Sequence, residues 1–289
     1  MDELLDQVIC GDARDTLGEL PDACVHTVVT SPPYYRQRDY GTPAQIGQEG
    51  TPEEYVRQLV LVFDQVRRVL REDGTLWLNV GDKYASQQLL GLPWRVALAL
   101  QASGWTLRSD IVWHKANAMP SSVTSRPTAD HEYLFLLSRS PTYYYDCDAI
   151  REPHVTFTPE SRMAGGRGHF GKRGGTPENG KNRGNHNLHD ARWDQAFHPL
   201  GRNRRTVWRI PLSKFPGAHF AVFPEELVEL CVLAGSPPGG VVLDPFLGSG
   251  TTAAVAKRLG RRYVGIDCCE EYCAMARSRI GVQEALALG

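Results

Sequence analysis

Short apolar, β-branched runs alternate along the chain with segments whose apolar residues recur every three or four positions. Residues 8–10 and 25–30 read as strands. Thr51-Pro52-Glu53-Glu54 is a capping box with proline at the first helical position. Tyr55, Leu59, Val62, Phe63, Val66, Val69 and Leu70 then follow at helical spacing, which predicts one apolar face on a helix that Gly74 ends. Residues 75–80 read as a strand, 92–103 as a helix closed by Gly104, and 106–114 as another strand. A second run of the same kind places a helix at 224–234, a strand at 241–244, a helix at 251–259, a strand at 263–267 and a helix at 270–280. Such β-α-β alternation predicts an α/β fold with a mostly parallel sheet and helices on both faces.

Between these two runs the periodicity fails. From 151 to 209, Gly165-Gly166, Gly168, Gly171, Gly174-Gly175, Gly180 and Gly184 interrupt every pattern, and twelve Lys and Arg stand against five Asp and Glu. The whole chain, by contrast, carries a formal net charge of −1, so any signal for a polyanionic partner is local to this insertion. Taken by itself, a Gly/Arg/Asn-rich run reads as a solvated, disordered loop. Its histidines, His154, His169, His186, His189 and His198, match no metal-ligand spacing, and no metal is expected. A length of 289 residues with 42% hydrophobic composition suits one large domain or two small ones. No apolar run approaches the roughly 20 residues that span a bilayer, and the acidic N-terminal segment is unlike a secretory leader, so a soluble, cytoplasmic protein with no membrane partner is expected. The seven cysteines include no C-x-x-C pair and read as mostly buried thiols; none follows a proline.

Two segments carry chemistry. The strand 241–244 runs into Asp244-Pro245-Phe246-Leu247-Gly248-Ser249-Gly250-Thr251, a glycine turn that opens a helix, as in the nucleotide sites of open α/β sheets. It lacks G-x-G-x-x-G and the G-K-[ST] of a phosphate loop, and Asp244 stands where a phosphate would sit, so a ligand with a cationic end fits better. A tight packing turn is the bland alternative, but it leaves the acidic strand end without a reason. Asp267 ends the next strand, the usual position of a ribose clamp, and it is equally placed to cap the helix that follows. The second segment is Ser31-Pro32-Pro33-Tyr34 at the end of strand 25–30. Two consecutive prolines fix two φ angles and remove two donors, leaving carbonyls at Ser31 and Pro32 that only accept, beside the flat ring of Tyr34. Alone, Pro-Pro-Tyr reads as a turn or a proline-rich ligand.

Together the segments resemble an amino-directed DNA methyltransferase. Asp244 to Thr251 looks like that family's S-adenosylmethionine motif, and Ser31-Pro32-Pro33-Tyr34 looks like its catalytic motif. The catalytic motif comes first with the basic insertion between, which is the order of the permuted β class. Gly11-Asp12 resembles the segment facing the cofactor adenine, and His219-Phe220-Ala221-Val222-Phe223-Pro224 the segment before the cofactor strand. Trp113-His114-Lys115, Asn117, Met119-Pro120 and His131-Glu132-Tyr133 resemble recurring positions of the N4-cytosine branch.

The resemblance implies a Rossmann-like methyltransferase domain with a reversed strand near one edge, a catalytic half at 1–150, a target-recognition insertion at 151–209 and a cofactor half at 210–289. It implies methyl transfer from S-adenosyl-L-methionine to N4 of a flipped cytosine in double-stranded DNA, within a restriction-modification or epigenetic system. N6 of adenine is the runner-up target. An RNA or protein amino-methyltransferase and a non-catalytic DNA-binding module are further alternatives. Implied catalytic residues are Ser31, Pro32, Pro33 and Tyr34. Implied cofactor contacts are Asp12, His219, Phe220, Asp244, Pro245, Phe246, Gly248, Ser249, Gly250, Thr251 and Asp267. The DNA surface is placed at Arg36, Arg38, Lys115, Asn117, Arg126, Arg162, Arg167, Lys172, Arg173, Arg202, Arg204 and Arg205. A cognate restriction endonuclease is the candidate protein partner, and monomer and homodimer stay open.

Overall fold

The computed structural model describes residues 2–39, 41–42, 45–153, 200–212 and 223–287, with side chains from 3 through 281. Strands β1 (Gln7–Cys10), β2 (Val25–Thr30), β3 (Leu70–Val80), β6 (Thr106–His114), β7 (His131–Ser138), β8 (Val207–Arg209), β9 (Val241–Asp244) and β10 (Arg262–Asp267) form one sheet in the order β1-β10-β9-β2-β3-β7-β6-β8. β4 (Tyr84–Ala85) and β5 (Gln88–Leu89) form a separate hairpin. All neighbours in the large sheet pair in parallel except those of β7, which runs antiparallel to both β3 and β6. The expected reversed strand is therefore β7. Helices α1 (Ala13–Glu19), α2 (Pro52–Val69) and α3 (Leu92–Ala102) cover one face, and α4 (Glu225–Gly235), α5 (Thr251–Arg258) and α6 (Glu270–Ala287) the other.

The amphipathic pattern of α2 translates directly into packing. Thr51 and Glu54 close the capping box reciprocally, and Tyr55, Leu59, Val62, Phe63, Val66 and Val69 are all buried. They meet Leu76, Leu78 and Val80 of β3 and Leu243 of β9 in the main core. The C-terminal end of α2 differs from the sequence reading: the helix stops at Val69, and β3 begins at Leu70 without an intervening loop. Gly74 therefore lies inside a strand, where a Cβ would come within 2.5 Å of the Leu70 side chain.

Two compact units are present, one formed by 1–146 with 206–289 and the other by 147–205. Residues 207–209, which the sequence reading puts in the insertion, form β8 and pair with β6. Within the smaller unit, Glu152 and Arg202 make a backbone bridge and a 2.8 Å ion pair. The cysteines are less buried than expected: only Cys231 and Cys273 are enclosed, and Cys10 is exposed. Among the described residues, no helix is long and apolar enough to cross a membrane.

Candidate active site

From β9 the chain proceeds to β10 on one side, and from β2 it proceeds to β3 on the other, so the carboxyl ends of β2 and β9 flank the crevice where open α/β sheets hold ligands. Thr30 and Asp244 end these neighbouring strands, and Thr30 Oγ1 donates to Asp244 Oδ1 at 2.6 Å. A cavity opens there, and Asp12, Ser31, Tyr34, Asp244, Gly248 and Asp267 all line it. Both motifs, more than 200 residues apart in the chain, thus share one wall.

Asp244 is 4% exposed and also accepts from Thr252 Oγ1 at 2.7 Å and from the Phe246 amide at 3.0 Å. Burial pushes its carboxyl up to about 6 against the pull of those three donors. Asp267 is likewise raised by burial, while its two oxygens accept from the Gly248 amide at 2.8 Å and the Cys269 amide at 2.9 Å. It both pins the glycine turn and caps the segment entering α6. Asp12 lies just past the end of β1 and N-caps the short helix α1. Burial raises its carboxyl, but the Arg14 guanidinium and amide outweigh this and hold it below the usual carboxylate range. Pro245, Phe246, Ser249 and Thr251 also line the cavity. Gly250 does not, and its part is to shape the turn: it caps α5 at φ 85°, and a Cβ there would meet Ala276 Cα at 2.8 Å.

The Ser31-Pro32-Pro33-Tyr34 turn is held from α2, where Tyr55 donates from its hydroxyl to the Pro33 carbonyl at 2.9 Å. Nothing in the sequence distinguishes Tyr55 from its core-facing neighbours. Beyond the turn, Tyr34 Oη donates to Glu132 Oε2 at 2.7 Å, Asn79 Nδ2 donates to the same oxygen at 2.8 Å, and Lys115 Nζ donates to Oε1 at 2.5 Å. Burial, followed by the neighbouring Glu132 charge, pushes the Tyr34 phenol well above its ordinary range. Glu132, Asn79 and Lys115 line the cavity with Trp113. The sequence marks the His131-Glu132-Tyr133 stretch only by resemblance and does not mark Asn79.

Several residues placed on the DNA surface have their polar ends engaged within the protein. Lys115 pairs with Glu132 and faces the cavity. Asn117 clamps the backbone of Leu212 through both its oxygen, at 2.6 Å, and its nitrogen, at 3.2 Å. The Arg36 guanidinium donates to the Glu49 and Gly50 carbonyls, and that of Arg126 lies 3.6 Å from the Tyr84 ring centroid. Arg38 lines the cavity, while Arg202 pairs with Glu152 and Arg204 donates to the Ile150 carbonyl. Arg205 has a partner of its own. Arg162, Arg167, Lys172, Arg173, His219 and Phe220 lie outside the described residues.

Comparison with known proteins follows the same lines. A family profile described as DNA methylase matches residues 25–278. The type II methyltransferase M.SmaI of Serratia marcescens is 42% identical over 95% of this chain and 90% of its own length, and M.Cfr9I of Citrobacter freundii is 40% identical over 93% and 86%. A Thermus thermophilus protein described as a candidate DNA modification methylase, solved in complex with S-adenosyl-L-methionine, superposes with a TM-score of 0.63 at 26% identity, over 96% of this chain and 93% of that one. The cytosine-N4-specific PvuII DNA methyltransferase shares the fold with a TM-score of 0.68 at 20% identity, over 94% and 85%. A glycine turn and a Ser-Pro-Pro-Tyr turn on one cavity wall, and a family match that spans both, place this chain in the N6/N4 family of DNA methylases, enzymes that take their methyl group from S-adenosyl-L-methionine.

Proposed function

We propose that the enzyme methylates N4 of cytosine in double-stranded DNA, with the target base turned out of the helix into this cavity. The observation that carries the reading is the placement of Ser31 at the end of β2, in the same cavity as the acidic ends of β9 and β10. Extrusion is required because a stacked, paired amino group cannot be approached in line, and it costs a few kcal/mol. Tyr34, partly exposed and lining the cavity, offers a stacking surface worth roughly 1–3 kcal/mol per base.

The cavity suits the cofactor chemically. Three carboxylates, Asp12, Asp244 and Asp267, face it around the glycine turn, a donor set for ammonium, sulfonium and ribose hydroxyls and a poor one for phosphates. Asp244 and the turn 245–249 would hold the amino-acid end and Asp267 the ribose. When bound, S-adenosyl-L-methionine supplies an electrophilic methyl group; the chain supplies orientation and charge stabilisation. Acceptors at Ser31 and the following carbonyl hold the amino hydrogens out of conjugation with the ring, and they stabilise the positive charge that grows on nitrogen.

Serine at the first position of the catalytic motif and the stretch from Trp113 to Tyr133 resemble the N4-cytosine branch, which favours cytosine over adenine. The basic stretch 151–209 would select the DNA sequence, with Arg36, Arg38 and Arg126 near its backbone. Lys115, which also pairs with Glu132, and Asn117, which also holds the Leu212 backbone, belong to the same proposed surface. A cognate restriction endonuclease is the partner that relatives of type II would imply, with either a monomer or a homodimer as the working form. Transfer of labelled methyl groups to duplex DNA, RNA and protein tests the substrate class, and nucleoside mass spectrometry tests the atom.

A further inference from the structure

Methylating an amino nitrogen leaves it with one proton more than the neutral product carries, and the cavity contains a directed chain of hydrogen bonds able to remove it. Ser31 Oγ donates to Tyr34 Oη at 3.2 Å, and Tyr34 Oη donates to Glu132 Oε2 at 2.7 Å. Asn79, fully buried, donates from Nδ2 to Tyr34 Oη at 3.2 Å and to Glu132 Oε2 at 2.8 Å. As a donor at both bonds it orients the chain but cannot receive a proton. Lys115 Nζ occupies the other carboxylate oxygen at 2.5 Å, which leaves Oε2 to the phenol and the Asn79 amide.

The reversed direction of β7 explains how a residue so distant in sequence reaches this place. Parallel strands β2, β3 and β6 bring their carboxyl ends to the cavity, whereas β7 brings its amino end, so Glu132 pairs in register with Trp113 and Tyr133 with Val80. Gly81, just after β3, leaves room for both partners: a Cβ there would lie 2.6 Å from Tyr34 Cε2 and 3.3 Å from Glu132 Cδ.

We propose that Glu132 is the terminal base of a Ser31–Tyr34–Glu132 proton relay, an assignment that rests on the amino-methylation reading above. As the N–CH3 bond forms, the electron pair of the broken S–CH3 bond stays on sulfur, and one N–H proton passes to Ser31 Oγ. The Ser31 proton passes to Tyr34 Oη, and the Tyr34 proton to Glu132 Oε2. Glu132 ends as a neutral acid and returns its proton to water; its side chain is 14% exposed. Burial pushes the Tyr34 phenol well above its ordinary range, so the phenol takes up one proton as it releases the other and no phenolate accumulates. Glu132 is thus a positioning and proton-accepting residue that acts through Tyr34.

The test uses Glu132→Gln and Tyr34→Phe, singly and combined, in single-turnover methylation of unmethylated amplified bacterial DNA, in H2O and D2O. Binding of sinefungin, a non-reactive analogue of the methyl donor, is followed by calorimetry as a readout of folding and of the cofactor site. Each single change is expected to slow transfer by about 100-fold, and the double variant no further, while sinefungin affinity stays within about twofold of wild type. The solvent isotope effect of the wild type is expected to vanish in Glu132→Gln and persist in Glu132→Asp. Wild-type rates in the single variants, additive losses in the double, or an isotope effect unchanged by Glu132→Gln would overturn the relay. Should Glu132→Gln fail to bind sinefungin, Tyr34→Phe carries the same criteria. A wild-type enzyme that methylates no DNA base at an amino group contradicts the reaction itself, which is a separate outcome.

Discussion

Replacing Asp244 by Asn should make the ligand-free protein more stable while abolishing its affinity for the cofactor. The carboxyl is raised by burial from 3.8 to about 6, so the folded state holds the ionised form at a disadvantage. A shift of roughly two units at about 1.36 kcal/mol each corresponds to ~3 kcal/mol, an upper figure for what removing the charge can restore above pH 6. Asn can keep the local bonds. Its oxygen accepts from Thr30 and from the Phe246 amide as Asp244 Oδ1 does, and its nitrogen can donate to Thr252 Oγ1, whose hydroxyl then turns fully to the Val29 carbonyl at 3.2 Å. The sign follows from the raised value: between 3.8 and 6 the native wild type holds a proton that the unfolded chain has lost, so wild-type stability falls as pH rises through that window and levels off above it. The advantage of Asn is therefore full at pH 8, about half as large at pH 5, and absent below the unfolded value. Denaturant unfolding of the ligand-free proteins at pH 8 and pH 5 measures it, and calorimetry with sinefungin measures the loss of affinity. A variant that is less stable than wild type at pH 8, or whose advantage is the same at both pH values, would refute the reasoning.

Other substitutions separate the two halves of the site. Asp267→Ala removes an acceptor placed for the ribose and should weaken sinefungin binding by more than about tenfold, on the order of 1.5–3 kcal/mol for a charge-assisted bond; unchanged calorimetric affinity would remove Asp267 from the cofactor site. Gly81→Ala drives a methyl group against the Tyr34 ring, so turnover should fall at least as far as in Tyr34→Phe while sinefungin affinity holds, and equal losses in both would point to general misfolding instead. Tyr55→Phe leaves the Pro33 carbonyl without its donor, with an expected cost of about 1–3 kcal/mol in unfolding experiments and a slower transfer step; a variant as stable and as fast as wild type would show that α2 does not hold the catalytic turn. Binding to duplex DNA should weaken by about 0.9 in log K per log salt for each phosphate contact, and a salt-independent affinity would contradict a phosphate-binding surface.

Much of this architecture is legible because its periodicities are long and unbroken. The six core-facing residues of α2 from Tyr55 to Val69, the strand at 106–114 and the strand 241–244 emerge with the bounds that alternation predicts. The junction of α2 and β3 departs from the sequence reading because glycine ordinarily ends helices, whereas here Leu70 caps the helix with extended backbone and the strand begins at once. Helix α1 is invisible in the sequence because seven residues with an interior glycine give too little pattern. The two motifs are likewise visible, since prolines and glycines mark themselves, but their supports are not. Tyr55 looks like any apolar position of an amphipathic helix, Asn79 like an interruption in a strand, and Arg14 like a solvated charge. Only tertiary pairing brings Glu132 to Tyr34, whereas Arg14 meets Asp12 locally, two residues along the chain. The sequence marks Lys115 by resemblance alone, and its bond to Glu132 is a tertiary contact that no local pattern announces.

The central claim, transfer of a methyl group to N4 of cytosine in DNA, is tested most directly by incubating the purified enzyme with S-adenosyl-L-methionine and unmethylated amplified bacterial DNA, then digesting the DNA to nucleosides for mass spectrometry. The account predicts N4-methylcytosine, absent when Ser31→Ala replaces the wild type. N6-methyladenine without N4-methylcytosine would contradict it.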